Sequence, residues 1–245
     1  MRLLVSVRDA GEAAAALLGG ADIVDAKEPS LGPLAPVSSP VLQSICRAVP
    51  RTTPLSVALG DARPGEIAER ASAVAPLQSR HALFFKAALV NSRPEDAAIG
   101  IASACRLLAA RADRPALVVA RYVDAPADIP DLTAWIDLCA ASGVRGLLLD
   151  TSVKTGPSLP GTIGAGPLLA LRRHAGRRGI WLAVAGGVGP GDVPLLAEVR
   201  PDVVGVRGSV CTGGRTGALS AERVLLLRRA LAGVTARERL PATPV

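Results

Sequence analysis

Eight short apolar, β-branched runs punctuate the chain about every 25 to 35 residues, with amphipathic Ala- and Arg-rich stretches between them. The runs are Leu3–Val7, Asp22–Asp25, Leu55–Leu59, Leu83–Leu89, Leu117–Val123, Gly146–Asp150, Trp181–Ala185 and Val203–Val206. Their near-continuous hydrophobicity is that of strands buried on both faces, and the stretches between them supply the crossovers of a parallel sheet. Helices are predicted at Gly11–Leu18, Pro40–Ala48, Pro64–Ala75, Pro94–Arg111, Leu132–Ser142, Pro167–Arg178, Pro190–Val199 and Ser220–Ala232. Several begin at or near proline, which suits a first helical turn because its missing N–H would be unpaired there. Eight strand-then-helix units in 245 residues match the α/β class as a single (β/α)8 TIM barrel. The rival, a doubly wound open sheet, wants a Gly-rich turn after its first strand, where this chain reads Arg8-Asp9-Ala10-Gly11-Glu12.

The barrel is expected over residues 1–234, with 235–245 a polar, Pro-containing tail that frays. At 49% hydrophobic and 20% charged, the chain can bury a large core. No apolar run reaches the roughly 20 residues of a membrane span, and the N-terminus lacks the pattern of a secretory signal. Cys46, Cys105, Cys139 and Cys211 have no paired spacing, so neither disulfides nor a zinc site is expected. A soluble, cytoplasmic protein follows as the expectation, with no membrane partner, no metal and no cofactor. The formal charge of +7 raises nucleic acid as a partner, but aromatic residues are only 2% of the chain and the cations are dispersed. A small phosphorylated substrate fits the same charge without a patch.

Of 28 Lys and Arg residues, only Lys27, Lys86 and Lys154 are lysine. Arginine stays protonated and cannot act as an amine nucleophile, whereas lysine can be tuned by burial and neighbours. In this fold, active sites lie at the carboxyl ends of the strands. Lys27 follows the second run, two residues after Asp25, and Lys154 follows the sixth, four residues after Asp150. Lys86 falls inside the fourth run, where an unpaired ammonium would carry a heavy desolvation cost, so Asp25 or Asp150 is its expected partner. Taken singly, Lys27 and Lys154 read equally well as loop cations. Three ammonium groups at one mouth depress one another's pKa, and a lysine so depressed can attack a carbonyl to form a Schiff base. The adjacent carboxylates then carry protons.

The last two runs end in Ala185-Gly186-Gly187-Val188-Gly189 and Gly205-Val206-Arg207-Gly208-Ser209. Glycine lets backbone N–H groups approach an anion, and the loops after the seventh and eighth strands are this fold's usual phosphate site. Gly186, Gly187, Arg207, Gly208 and Ser209 are therefore the candidate phosphate cradle. Gly213-Gly214-Arg215 either extends it or forms a separate loop. His81 and His174 read as surface residues, Cys211 as a loop filler, and Trp135 and Trp181 as packing residues. Asp61 and Asp124 sit at the rim, as helpers or as structural caps.

The segments DIVDAKEPSLGPL, FFKAAL, LLLDTSVKTG and VVGVRGSVCTGG together resemble the (5-formylfuran-3-yl)methyl phosphate synthase family of methanofuran biosynthesis, over nearly the whole chain. The resemblance implies a TIM-barrel lyase that condenses two molecules of glyceraldehyde 3-phosphate, with loss of phosphate and water. It implies Lys27 as the Schiff-base lysine beside Asp25, and Lys86 as the lysine that moves a proton between aldehyde and ketone forms. Asp150 and Lys154 would assist aldol addition and dehydration. The chain departs from the family pattern at Ala35, at Ala87-Ala88 after Lys86, and at Gly187 where serine is usual; those changes bear on substrate placement. Another class I aldolase-type lyase acting on triose phosphates, or a non-catalytic phosphosugar-binding barrel, fits the same residues. Barrels of this kind commonly associate, so a homo-oligomer is expected.

Overall fold

The computed structural model describes residues 1–77, 82–124 and 132–237. Its strands are β1 (Arg2–Val7), β2 (Ile23–Ala26), β3 (Leu55–Ala62), β4 (Leu83–Leu89), β5 (Ala116–Tyr122), β6 (Gly146–Asp150), β7 (Trp181–Val184) and β8 (Val203–Val206). Each pairs in parallel with its sequence neighbours, and β8 closes on β1, so the sheet is a barrel without edges. The helices are α1 (Ala10–Leu18), α2 (Ser39–Ala48), α3 (Ile67–Ala73), α4 (Pro94–Ala110), α5 (Leu132–Ala141), α6 (Leu159–Ile163), α7 (Ala165–Arg177), α8 (Val193–Val199) and α9 (Ala221–Arg237). This is the (β/α)8 barrel that the periodicity predicts. Four local differences appear. The stretches beginning at Pro64 and Pro190 each open with one 3-10 turn before α3 and α8. The short helix α6 interrupts what reads as a loop, and α9 runs on to Arg237. The tail beyond it and His81 lie outside the described residues.

Alternation along each strand builds two apolar layers. The outward side chains, among them Leu3, Val5, Phe85, Leu117, Leu147 and Val204, pack under the helices in one continuous core. Trp135 is fully buried there, and the Arg121 guanidinium stacks on its ring at 4.4 Å. The inward side chains are smaller: Ala88, Ala120, Tyr122 and Leu148 cluster with Leu34, which reaches in from the β2–α2 loop. Serine, alanine and glycine at Ser6, Ser56, Ala183 and Gly205 leave the remaining interior open, and a cavity of about 400 Å³ runs down from the carboxyl-end mouth. The amino end is stopped by Phe84 and Trp181, stacked edge to face at 5.3 Å, with Arg2 and Arg145 against the indole. Trp181 thus packs as expected.

Strand β3 carries an irregularity that the apolar run does not disclose. Its register against β4 shifts between Ala58 and Gly60, so Leu59 is the extra residue of a bulge. The shift places Asp61 opposite Ala88, on the inner face. There its carboxylate accepts the Tyr122 hydroxyl at 2.6 Å. Burial and the bond to Asp61 push the Tyr122 phenol well above its ordinary range.

Candidate active site

Three strand ends bring the three lysines to one place. Asp25 is the third residue of β2 and points inward, as does Lys86 in the middle of β4. Lys86 Nζ lies 2.8 Å from each oxygen of Asp25, which is fully buried, and the Ser6 hydroxyl of β1 donates to the same carboxylate at 2.7 Å. Burial alone would raise the Asp25 carboxyl. Lys86, Lys27 and the Ser6 hydroxyl outweigh it and hold that carboxyl below the usual range. A second pair stands on β6, where Lys154 Nζ donates to Asp150 at 2.6 Å and the Thr151 N–H donates to the same oxygen at 2.8 Å.

Lys27 lies against both pairs and belongs to neither. It is only 7% exposed, and its ammonium meets no acceptor among the described residues. Burial first, then Lys86 and Lys154, push its pKa down from 10.5 to about 7, against the pull of Asp150 and Asp25. At neutral pH a large share of it is free amine, the form that attacks a carbonyl. Lys27, Lys86, Asp150 and Lys154 all line the cavity. Asp25 sits behind Lys86. Two closed acid–lysine pairs flanking one unpaired amine give a nucleophile with proton donors and acceptors on either side.

The glycine loops after β7 and β8 close the opposite wall. Gly186 and Gly187 stand in the left-handed region, at φ 87° and 65°. A Cβ on Gly186 would come within 2.8 Å of the Thr151 backbone nitrogen, and one on Gly187 within 3.2 Å of the Ser158 Cα. The glycine at 187, a departure from the serine of the family pattern, therefore suits its backbone. Gly186→Ala is expected to lower stability by about 1–2 kcal/mol, checked by the denaturant midpoint. The N–H groups of Gly187, Val188, Gly208 and Ser209 find no acceptor among the described residues, and the Ser209 hydroxyl is buried without a partner. Such clustered donors form a concavity for an anion.

Arg207 departs from the role its position suggests. Its side chain is 3% exposed and every N–H is already directed at the protein. Nη1 donates to Glu12 at 2.6 Å and to the Ser6 carbonyl at 2.9 Å. Nε donates to the Arg215 carbonyl at 2.8 Å, and Nη2 to Glu12 at 3.1 Å and, longest, to the Gly217 carbonyl at 3.4 Å. Arg207 ties β1, α1 and the β8–α9 loop together and has no donor to spare for a direct phosphate contact.

Other residues take structural places. Asp124 accepts the N–H groups of Ser152 and Val153 at 2.7 Å each, holding the loop that leads to Lys154. His174 pairs with Asp137 at 2.7 Å on the outer helices, and Cys211 is buried beside the Leu219 bridge. Among the described residues, no group of three or more His, Cys, Asp or Glu is placed to hold a metal ion, and no helix is long and apolar enough to cross a membrane. Ser6 and Arg215 also line the cavity. A polar residue at an inward strand position is the only sequence signal for Ser6, and Arg215 stood in a loop of open role.

The fold and the site define a class: a (β/α)8 barrel with a lysine-centred pocket at the carboxyl ends of its strands. Barrels of this shape are widespread. Phosphoribosyl anthranilate isomerase from Thermus thermophilus superposes with a TM-score of 0.60, covering 98% of this chain and 100% of that one, at 19% identity. Such a likeness speaks for the fold alone. The sequence speaks more narrowly, since the family model described as 4-HFC-P synthase matches residues 3–228. The chain belongs to that family. Among its relatives, the (5-formylfuran-3-yl)methyl phosphate synthase of Methanothermobacter thermautotrophicus is 33% identical, over 94% of this chain and 99% of its own length. That of Methanopyrus kandleri is 30% identical over the same shares, and that of Methanosarcina acetivorans 32% identical over 91% and 96%.

Proposed function

We propose that this enzyme condenses two molecules of glyceraldehyde 3-phosphate into (5-formylfuran-3-yl)methyl phosphate, with loss of phosphate and water, through a Schiff base on Lys27, and that the product serves methanofuran biosynthesis. The observation that carries the reading is the unpaired, buried amine of Lys27 set between the pairs Lys86–Asp25 and Lys154–Asp150. The free amine attacks the carbonyl of a triose phosphate, and loss of water leaves an imine. Lys86, held by Asp25 and through it by Ser6, moves a proton between the carbonyl carbon and the hydroxyl-bearing carbon beside it, while the hydroxyl proton passes to the carbonyl oxygen, and so interconverts the aldehyde and ketone forms. Loss of a proton beside the imine gives an enamine whose carbon adds to the aldehyde of the second triose. Lys154, held by Asp150, protonates the oxygen that develops there and later assists its departure as water. One phosphate then leaves as its C–O bond breaks and the neighbouring carbon gives up a proton. A hydroxyl closes the ring with loss of a second water, and hydrolysis of the imine frees the Lys27 amine. The N–H groups of the β7 and β8 loops hold a phosphate at the far wall, and Arg207 braces that wall.

Borohydride trapping with glyceraldehyde 3-phosphate, followed by peptide mapping and product analysis, tests this. The expected result is a reduced adduct on Lys27 together with a furan aldehyde phosphate as product. An adduct on Lys86 or Lys154 would overturn the assignment of roles. An adduct on Lys27 without the furan would leave a different class I aldolase acting on triose phosphates. Protein that binds phosphate yet gives neither adduct nor product would be a phosphosugar-binding barrel.

A further inference from the structure

Arg215 lies in the loop that joins β8 to α9, after Gly213 and Gly214, both in the left-handed region at φ 77° and 84°. The loop is closed on itself by the Thr212 N–H, which donates to the Ala218 carbonyl at 2.8 Å. Its backbone lies against the glycine wall: a Cβ on Gly208 would stand 3.7 Å from the Arg215 Cα. The side chain then crosses the mouth of the cavity, where Nη2 donates to the Gly32 carbonyl of the β2–α2 loop at 2.6 Å. No other N–H of that guanidinium meets an acceptor among the described residues. Gly214 and Arg215 both line the cavity.

The contrast with Arg207 is chemical. A guanidinium carries five N–H donors in a rigid fork suited to two oxygens of one phosphate. Arg207 has placed all of its donors on protein acceptors, whereas half-buried Arg215 has placed one. The cation that borders the unpartnered N–H groups of Gly208 and Ser209, and still has donors to give, is Arg215.

We propose that Arg215 is the side chain that grips the phosphate of the triose substrate, and that it exchanges its bond to the Gly32 carbonyl for bonds to the phosphate oxygens. The inference rests on the phosphosugar reading above. It makes Arg215 a specificity-determining residue, because an unphosphorylated triose offers the fork nothing. It also couples the two sides of the mouth. Giving up the Gly32 carbonyl unties the β8–α9 loop from the segment that begins at Lys27, so phosphate arrival is felt at the root of the nucleophile.

The test compares wild-type protein with Arg215→Gln and Arg215→Lys. Calorimetric titration with inorganic phosphate is set beside steady-state kinetics on glyceraldehyde 3-phosphate. Arg215→Gln is expected to weaken phosphate binding and raise KM by at least about tenfold each, with kcat changed by less than about threefold and the melting temperature nearly unchanged. Arg215→Lys, which keeps the charge and loses the fork, is expected between the two. Phosphate affinity in Arg215→Gln within about twofold of wild type would overturn the assignment while leaving the phosphosugar reading intact. So would a collapse of its melting temperature, which would mark Arg215 as a structural strap. Wild-type protein with no affinity for phosphate would bring down the phosphosugar reading itself.

Discussion

Replacing Lys27 with arginine is expected to lower turnover by about a thousandfold or more, because arginine keeps the charge and gives up the amine. A protein that merely binds phosphosugars would tolerate the same exchange. Wild-type turnover in Lys27→Arg would therefore sink the imine mechanism outright. The pH profile of wild-type protein supplies a second reading of the same group. With the lysine pKa at about 7, kcat/KM is expected to fall below neutrality, about tenfold per pH unit, as the amine becomes ammonium.

The same shift links Lys27 to stability, with a definite sign. The folded pKa of about 7 lies below the value of 10.5 expected for an exposed lysine, so the unfolded chain binds more protons between them. The buried ammonium destabilises the fold fully below about pH 7, and that cost is relieved as the pH rises toward 10.5. Lys27→Met removes it, leaving two closed acid–lysine pairs. The variant should be inactive yet melt higher than wild type, with the largest gain below pH 7. A lower melting temperature at acid pH would show that the two carboxylates need the third lysine.

Arg207→Met is expected to cost about 3 kcal/mol in denaturant-measured stability, the largest folding effect predicted for this chain. It strands Glu12, 8% exposed, with only Arg8 at 3.1 Å to neutralise it. It also takes the donors from the carbonyls of Ser6 and Arg215. Pairing Arg207→Met with Glu12→Leu should restore part of the loss, because it removes the stranded charge along with its partner. A loss below about 1 kcal/mol for the single variant would mean that the Arg207–Glu12 pair does not hold the wall.

The eight apolar runs predict every strand, and three of them, Leu83–Leu89, Gly146–Asp150 and Val203–Val206, carry the observed bounds. Strands buried on both faces advertise themselves because apolar residues fill nearly every position, with Ser6, Ser56, Lys86 and Arg121 as isolated interruptions. Boundaries that depend on hydrogen bonding elsewhere were not legible in this way. The extension of β3 to Ala62 rests on the bulge at Leu59, and α6 is held through the Leu159 N–H on the Gly186 carbonyl at 2.8 Å. Nothing within three or four residues of either segment announces those contacts.

The same division runs through the site. In a chain so poor in lysine, Lys27, Lys86 and Lys154 stand out from sequence alone; Asp25 and Asp150 stand out because each closes a run, and strand position decides which end of the barrel a residue occupies. How each lysine is paired there was decided across the barrel. Asp25 precedes Lys27 by two residues yet bonds Lys86, 61 residues on, at 2.8 Å, so the neighbour in sequence is left as the free amine. The two arginines divide likewise. Both follow β8, and composition cannot tell them apart. Glu12 reaches one of them from α1, 195 residues away, and spends it as a brace, while the other crosses the mouth and keeps its donors. Local pattern determined which residues stand at the mouth; only closure of the sheet, which brings β8 against β1, decided which of their charges are already neutralised.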